Sequence, residues 1–297
     1  MPDQRPFDIV FNVNEGGLPG FGATVKSMVE HCSAPADLRV HIMCSRLGES
    51  HKANIRTLFD GLAYRGEYRI IDYDADSTFQ GLPGLLNDYT TYGRLLIPDY
   101  IDAAQILYLD SDLVITCDVL ELADLDMEGY PIAAYTGTAV NYALDRTYFL
   151  ERGYSKDMAY FNAGVLLMDL DAWRERDLTS EWKEIIADRP ETLQSHDQTI
   201  LNRICAGDFK RLPLKYNTLF LAHHKKPEHT SGIFHFVGSP KPWDVFGSVI
   251  HAGYPLWKRY SPPFWERTYQ RMSLGRLNRA WSIRRSILRS IKKRYRR

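Results

Sequence analysis

The sequence predicts an α/β fold in which helices flank a mostly parallel mixed sheet, with a basic helical extension at the carboxyl end. Three observations predict it. In the first half of the 297 residues, short β-rich runs alternate with helical patterns, as is typical of βαβ units. The composition is that of a globular protein, with 44% hydrophobic and 25% charged residues. Residues 271–297 contain eleven Lys and Arg and no Asp or Glu.

Each element of the first half is predicted from its own pattern. Short apolar runs rich in Val, Ile and aromatic residues are typical of buried strands, and apolar residues spaced by three or four are typical of helices. In chain order we expect a strand at residues 7–13, a helix at 23–32, a strand at 38–44, a helix at 51–62, a strand at 68–73, a helix at 92–97 and a strand at 105–109.

The second half is more mixed. It predicts a buried strand at residues 160–168, helices at 178–187 and 198–205, a polar loop at 222–232 and a strand at 233–236. The sequence has neither an internal repeat nor a low-complexity linker. We therefore expect one catalytic domain over residues 1–250 and a basic, amphipathic, membrane-associating extension over residues 251–297.

Several classes of protein are excluded by the composition. The apolar runs are far shorter than the roughly 18 residues that a membrane-spanning helix needs, and the polar amino terminus does not have the pattern of a signal peptide. We therefore expect a cytoplasmic protein. The four cysteines are scattered and form no C-x-x-C motif, so we expect buried free thiols rather than disulfides or a zinc site.

The charge is unevenly distributed. Before position 271 the chain has 26 basic and 37 acidic residues, a net charge of −11. A helix through the basic extension would carry an apolar stripe formed by Leu274, Leu277, Trp281, Leu288, Ile291 and Tyr295. Such a helix is expected to dock on an anionic membrane surface. One alternative is a solvated tail without structure. The other is nucleic-acid binding, but the acidic part of the chain before position 271 would repel phosphate.

Two aspartates directly follow the strand predicted at residues 105–109. If the extended backbone continues, Asp110 and Asp112 share a face, so that both carboxylates point at one ligand. Carboxylate oxygens suit Mg²⁺ or Mn²⁺, and the carboxyl edge of a parallel sheet is where ligands bind. A solvated loop that caps the sheet is the alternative for this motif.

Later segments carry further polar side chains that suit a sugar or phosphate ligand. Asn162 lies next to small residues that allow a ligand close to the backbone, and Asp197 and Gln198 open a predicted helix, where Asp197 could serve as the N-cap. After the last strand, His235 offers an imidazole for a metal, and Lys241 a positive charge for phosphate.

Taken in order, these segments resemble the retaining glycosyltransferases of family eight, a group that includes bacterial lipopolysaccharide galactosyl- and glucosyltransferases and glycogenin. The likeness covers residues 7–245, and its most diagnostic part is the last motif. The motifs are Thr91-Tyr92-Gly93-Arg94-Leu95, Tyr108-Leu109-Asp110-Ser111-Asp112, Phe161-Asn162-Ala163-Gly164-Val165, Asp197-Gln198 and His235-x-x-Gly238-x-x-Lys241-Pro242-Trp243.

The resemblance implies a nucleotide-binding fold of the GT-A type, a UDP-hexose donor, and Mn²⁺ or Mg²⁺ held by Asp110, Asp112 and His235. It also implies that Gly238 and Lys241 contact the diphosphate. Further residues implied at the donor or the transferred sugar are Asn14, Arg94, Ser111, Asn162, Asp197 and Gln198. One departure concerns Asn14, because related sequences usually carry Asp there to read the uracil edge; an Asn carbonyl can still accept the uracil N3 proton, but its amide could face another base edge.

The function expected from this resemblance is metal-dependent transfer of galactose or glucose, with retention, to a hydroxyl of a glycan or glycolipid such as lipopolysaccharide. The enzyme is expected on the inner face of the cell membrane, with no nucleic-acid partner. One alternative is a nicotinamide-dependent oxidoreductase, prompted by Gly20-x-Gly22 after the first strand. The other is a membrane-recruited nucleotide-sugar-binding protein without catalytic activity.

Overall fold

A seven-stranded sheet forms the centre of the computed structural model, which describes residues 6–84, 88–225 and 227–295. The strands are β1 Phe7–Val13, β2 Leu38–Cys44, β3 Glu67–Asp72, β4 Gln105–Leu109, β5 Leu113–Ile115, β6 Ile132–Ala134, β7 Thr138–Ala139, β8 Ala159–Tyr160, β9 Val165–Asp169, β10 Lys210–Arg211, β11 Thr218–Leu219 and β12 Ile233–His235. The central sheet has the order β10-β6-β9-β4-β1-β2-β3. Strand β9 runs antiparallel to β4 and β6, and the other pairs are parallel, which confirms the predicted mixed sheet.

Helices cover both faces of this sheet. The α-helices are α1 Leu18–His31, α2 Glu49–Gly61, α3 Ala75–Phe79, α4 Ile97–Tyr100, α5 Arg146–Glu151, α6 Leu170–Glu175, α7 Leu178–Ala187, α8 Asp197–Cys205, α9 Gly247–Ile250, α10 Tyr254–Tyr260, α11 Pro263–Tyr269, α12 Leu274–Ser282 and α13 Arg284–Tyr295. Short 3₁₀ helices span Pro35–Asp37, Thr90–Leu96, Val119–Leu122, Val140–Tyr142, Pro190–Thr192 and Leu214–Tyr216.

The apolar cores lie on opposite faces of the sheet because side chains alternate along each strand. In β1, Ile9 and Phe11 point into one core together with Trp265, whereas Val10 joins the other core with Trp173. All of these side chains are buried. The alternation fixes the register of the central strand, and the register in turn brings the polar residues after β1 and β4 to the same edge.

A second, three-stranded sheet of order β11-β12-β5 stands at this edge. Strand β5 follows β4 after Asp110-Ser111-Asp112, and β12 pairs antiparallel with β5, so that His235 lies opposite Leu113. This pairing brings a segment from the second half of the chain next to the carboxyl end of β4.

Three predicted elements differ from the observed ones. Helix α1 begins at Leu18 rather than at position 23, and residues 90–96 form a 3₁₀ helix. The prediction of a single strand at residues 160–168 is wrong. This segment is divided into β8 and β9 because the Asn202 side chain bonds both the amide and the carbonyl of Phe161, and so takes the place of a neighbouring strand.

The four cysteines are buried and free, as predicted. Burial raises the pKa of Cys117 to about 11 and that of Cys205 to about 12. These thiols are therefore protonated at neutral pH and contribute to packing as small apolar groups.

The carboxyl-terminal part contains two differently packed segments. Helices α10 and α11 contact α1: Trp265 is buried, and its indole N–H donates to the Leu18 carbonyl at 2.6 Å. In contrast, the helices α12 and α13 expose large apolar side chains, namely Met272 before α12 and Leu274, Leu277, Trp281 and Leu288 within the helices. Among the described residues, no helix has the length and apolar character needed to cross a bilayer.

Candidate active site

Three side chains that could bind a metal ion meet at the carboxyl edge of the central sheet. Asp110 and Asp112 stand between β4 and β5, and His235 ends β12. Their ligand atoms all lie within 4.8 Å of one another. The His235 Nε2 atom is 3.1 Å from Asp112 Oδ1 and 3.7 Å from Asp110 Oδ2. The structure therefore brings together the three residues for which the sequence implied a metal.

The chemistry of this cluster fits a divalent cation. Two carboxylates and one imidazole suit Mn²⁺ or Mg²⁺, with the imidazole favouring the former. The Asp112 Oδ1 atom is buried and accepts no well-formed hydrogen bond from the described residues, although His235 Nε2 lies 3.1 Å away. A metal ion would satisfy this oxygen. Burial opposes the ionisation of Asp112, but Lys241 and His235 outweigh it and hold the pKa of this carboxyl well below its usual range. Asp112 is thus a carboxylate, as a metal ligand must be.

Gly164 is the reason that the cluster can close. It precedes β9, and its amide is held by Asn162 Oδ1 at 3.1 Å. A Cβ atom at this position would overlap the ring of His235 and come within 2.7 Å of Asp110 Oδ2. Any side chain here would therefore push the imidazole and the carboxylate apart.

Arg94 links the cluster to helix α8. Its guanidinium is 3.1 Å from Asp110 Oδ1 and 2.9 Å from Asp197 Oδ2, donates to the Ala163 carbonyl, and stacks on Tyr108. Burial opposes its charge, but Asp197, Tyr108 and Asp110 raise the pKa of Arg94. Arg94 thus fixes the orientation of the Asp110 carboxylate, one of the three groups that could bind a metal ion.

Lys241 lies on the other side of the cluster. Its ammonium group is 2.5 Å from Asp112 Oδ2 and also donates to the Phe236 carbonyl. Gly238 lies in the chain between Phe236 and Lys241. It has a φ of 70°, a left-handed conformation that favours glycine. The arrangement places a positive charge directly beside the ligand cluster.

A network of amides connects α8 with His235. The Gln198 Oε1 atom accepts from Asn162 Nδ2 at 3.1 Å and from the Ala163 amide at 3.0 Å. Asn162 Oδ1 accepts from Asn217 Nδ2 at 3.1 Å, and the Asn217 Oδ1 atom lies 3.1 Å from His235 Nδ1. This last contact holds the ring so that Nε2 faces the aspartates.

The sequence suggested that Asp197 could be the N-cap of α8, but it is not. His196 takes that position, and Asp197 is the first residue of α8. Its side chain is buried, where it faces Arg94 at 2.9 Å and accepts from Thr91 Oγ1 at 2.5 Å. The carboxylate therefore supports the site through Arg94.

Four supporting residues were assigned no role from the sequence, although one of them, Tyr108, belongs to a quoted motif. Tyr108 donates to Asp110 at 2.8 Å, and its position two residues before Asp110 on one strand face was a signal that could have found it. Tyr160 donates to Asp145 at 2.5 Å and accepts from Gln198 at 3.2 Å. Neither Asp145 nor Asn217 belongs to a local motif.

Asn14 faces an aspartate that the sequence did not connect with it. Its Nδ2 atom donates to Asp88 at 3.0 Å, and its Oδ1 atom accepts from the Gly17 amide at 2.8 Å. Both side chains line one cavity of ≈ 190 Å³ together with Ser111. The other residues that line it are Asn12, Thr90, Thr91, Arg94, Tyr108, Asp110 and Asp112. One cavity thus joins the end of β1 to Asp110 and Asp112.

The glycines that prompted the oxidoreductase alternative lie inside α1 rather than in a loop before it. A Cβ atom at Gly20 would come within 2.6 Å of the Ser111 carbonyl, and one at Gly22 within 2.5 Å of Trp265. These glycines therefore allow the helix to pack closely, and they do not form a phosphate-binding turn.

The profile of glycosyl transferase family 8 matches residues 8–246. The chain belongs to glycosyl transferase family 8. It is 26% identical over 281 residues to the lipopolysaccharide 1,3-galactosyltransferase of Salmonella typhimurium, a match that covers 88% of this chain and 80% of that protein. It is also 26% identical over 210 residues to glycosyltransferase GlyF of Streptococcus pneumoniae, but this match covers 68% of this chain and 49% of that protein.

A solved structure agrees with this membership of family 8. The galactosyltransferase LgtC, crystallised with donor and acceptor sugar analogs, is similar with a TM-score of 0.73 and 25% sequence identity. The match covers 89% of this chain and 100% of that one. The fold is accordingly of the GT-A type, as the resemblance to family eight implied.

Proposed function

We propose that this chain transfers a hexose, galactose or glucose, from a UDP-sugar to a hydroxyl of a glycan or glycolipid such as lipopolysaccharide, with retention of anomeric configuration and with Mn²⁺ or Mg²⁺ as cofactor. Membership of family 8 supports sugar transfer, and the Salmonella typhimurium relative supports the acceptor class. The cluster of Asp110, Asp112 and His235 carries the proposal, because a diphosphate leaving group requires a concentrated positive charge at this position.

The residues in and around the cluster would stabilise the leaving group in different ways. A divalent cation held by Asp110, Asp112 and His235 would neutralise charge on the diphosphate. Lys241, 2.5 Å from Asp112, can donate to a phosphate oxygen as negative charge grows there. Gly238 would let the backbone approach the same diphosphate. Arg94 keeps Asp110 in its ligating orientation.

The nature of Gln198 decides which route to retention we propose. The amide is neutral and poorly nucleophilic, and its oxygen already accepts from Asn162 and from the Ala163 amide. We expect it to stabilise positive charge on an oxocarbenium-like sugar rather than to form a covalent bond. The acceptor then attacks from the face that the diphosphate leaves, and the leaving phosphate oxygen takes the acceptor's proton. Asn162 and Asp197 flank the sugar.

A donor screen tests this function. Purified protein is incubated with UDP-galactose, UDP-glucose and other nucleotide sugars, each with and without Mn²⁺, and released UDP is measured. We expect turnover with one UDP-hexose in the presence of metal, and its loss in Asp110→Asn and Asp112→Asn, whose amides keep the shape but not the charge.

The outcomes separate this function from its rivals. Undiminished turnover in both variants would place the metal elsewhere, and a β-linked product, read by NMR, would contradict retention. The absence of UDP release with every donor and a panel of glycan acceptors would favour the non-catalytic nucleotide-sugar-binding protein.

We further propose a peripheral membrane location on the cytoplasmic face, without a nucleic-acid partner. Catalysis is assigned to residues 1–250 and membrane association to the extension over 251–297. Within that extension Trp257 and Trp265 are buried, whereas Leu274 and Trp281 are 80% and 69% exposed. We therefore assign contact with anionic lipid to residues 271–297.

A further inference from the structure

The short segment that carries Lys241, residues 241–245, is called here the lysine loop. Asp244 closes it, because its carboxylate accepts from the Lys241 amide at 2.7 Å while its own amide donates to the Lys241 carbonyl at 3.1 Å. The position of the Lys241 backbone is thus tied to the orientation of one carboxylate.

That carboxylate is held from outside the loop. Arg279 of α12 donates to Asp244 through Nε at 2.5 Å and through Nη2 at 3.1 Å. The Asp244 side chain is 3% exposed. A carboxylate so nearly buried needs its cation, because an unpaired charge would be strongly destabilised.

A second arginine of the same helix contacts the same loop. Arg276 donates to the Trp243 carbonyl at 2.7 Å, and also to the Tyr269 carbonyl at 3.3 Å. A cavity of ≈ 770 Å³ lies between this part of α12 and the loop after β1. Arg276 and Arg279 therefore connect α12 to the lysine loop at the edge of this cavity.

We propose that Asp244 and Arg279 are positioning residues that hold Lys241 at the diphosphate, so that the helix proposed to face the membrane also sets the geometry of the donor site. The inference rests on the proposed function. Neither residue touches the ligand cluster. Their effect passes through the backbone of the lysine loop to the ammonium group, which lies 2.5 Å from Asp112.

A double-mutant cycle between Arg279 and Lys241 tests the proposal. Turnover is measured in solution with the donor and metal that the wild-type chain uses. Arg279→Ala should lower kcat by about ten- to a hundredfold with little change in KM, since a misplacement of about 1 Å costs up to about 10² in rate. Lys241→Ala/Arg279→Ala should be no slower than Lys241→Ala alone. Arg279→Lys should recover part of the rate because it retains the charge.

The matched control is Arg285→Ala, which removes the same charge from an exposed position on α13. It should leave kcat unchanged. Asp244→Asn, which keeps the side-chain shape and weakens the pair, gives the same test if Arg279→Ala lowers the melting temperature. An unchanged kcat in both Arg279→Ala and Asp244→Asn, or additive losses in the double variant, would overturn the proposal.

A second readout does not depend on turnover. The rate at which acetic anhydride labels Lys241, measured by mass spectrometry, should rise in Arg279→Ala and stay at the wild-type value in Arg285→Ala. Equal labelling in all three proteins would also overturn the proposal. If the wild-type chain turns over no UDP-sugar, the proposed function fails, and the labelling still decides whether Arg279 holds the loop.

Discussion

At the scale of single residues, the site depends on close approach between segments that are distant in sequence. Gly164 of the second half lies against His235 and Asp110, and Asn217 orients His235. Asp110, Asp112 and His235 could be predicted because each belongs to a local motif. Asn217 and Asp145 could not, since their roles arise from where β11 and α5 come to lie in the fold, which no short pattern encodes.

Gly164→Ala should weaken metal binding. The added methyl group would overlap the His235 ring, so the imidazole must move away from the aspartates. We expect much weaker Mn²⁺ binding, measured by electron paramagnetic resonance of the free ion, and loss of most turnover. The control is Gly61→Ala at the end of α2, where a Cβ meets nothing within 4 Å. It should leave Mn²⁺ affinity unchanged; equal affinity in Gly164→Ala would contradict the close packing described for the cluster.

At the scale of elements, the predicted bounds were wrong at the start of α1 and in the strand predicted at residues 160–168, where tertiary contacts outweigh the local sequence pattern. Glycine disfavours a helix by about 1 kcal/mol relative to alanine, and the helix predicted at residues 23–32 does not include Gly20 and Gly22. In the fold, Trp243 and Trp265 occupy the space that side chains at Gly20 and Gly22 would fill, so the packing outweighs the propensity. Strand periodicity likewise could not reveal that Asn202 interrupts the run before β9.

Three neighbouring strands share a buried polar cluster that predicts acid sensitivity. On β2, His41 faces Asp8 of β1 at 2.5 Å through Nε2, and its Nδ1 accepts from Arg69 of β3 at 2.6 Å. Burial lowers the pKa of His41 below its ordinary 6.5, although Asp8 opposes this. A second buried histidine, His251, has its pKa lowered by burial to about 3.

Both histidines are therefore neutral in the folded chain and take up protons more readily when it unfolds. Their contribution to the free energy of unfolding is complete above about pH 6.5 and is lost as the pH falls toward the lowered pKa, by up to about 1.4 kcal/mol per pH unit for each histidine. Urea unfolding at about pH 7.5, 6.5 and 5.5 should show this loss. His41→Gln should reduce the pH dependence. An unaltered slope in His41→Gln would refute the assignment.

At the scale of the whole molecule, opposite charges are segregated along the sequence and partly joined in space. The part before position 271 carries −11, yet the basic segment is not detached from it. Arg279 pairs with Asp244, and Arg294 donates to the Val249 and Ile250 carbonyls. These contacts leave Leu277 and Trp281 exposed on the outer side, with Arg284 stacked on Trp281 at 4.5 Å.

This outer face predicts reversible binding to anionic bilayers. Each basic residue near anionic lipid contributes about 1 kcal/mol, and burial of a large apolar side chain about 1.5–3 kcal/mol. Leu277→Ser/Trp281→Ser should therefore weaken binding to vesicles that contain anionic lipid, measured by sedimentation, by roughly a hundredfold, on the order of 3 kcal/mol in total. Raising the salt concentration should weaken the wild type as well, because the lysines and arginines are then screened.

The control must remove apolar side chains that are at least as exposed from elsewhere on the chain. Tyr142 and Leu144, which are 80% and 76% exposed, lie outside the basic segment, so Tyr142→Ser/Leu144→Ser should sediment like the wild type. A truncation ending at Tyr269 is less selective, because it also removes Arg276 and Arg279 from the lysine loop. Equal sedimentation of both serine double variants and the wild type would exclude α12 as the membrane contact. Retention of wild-type turnover on soluble donor by Leu277→Ser/Trp281→Ser would show that membrane docking and the positioning of Lys241 use opposite sides of one helix.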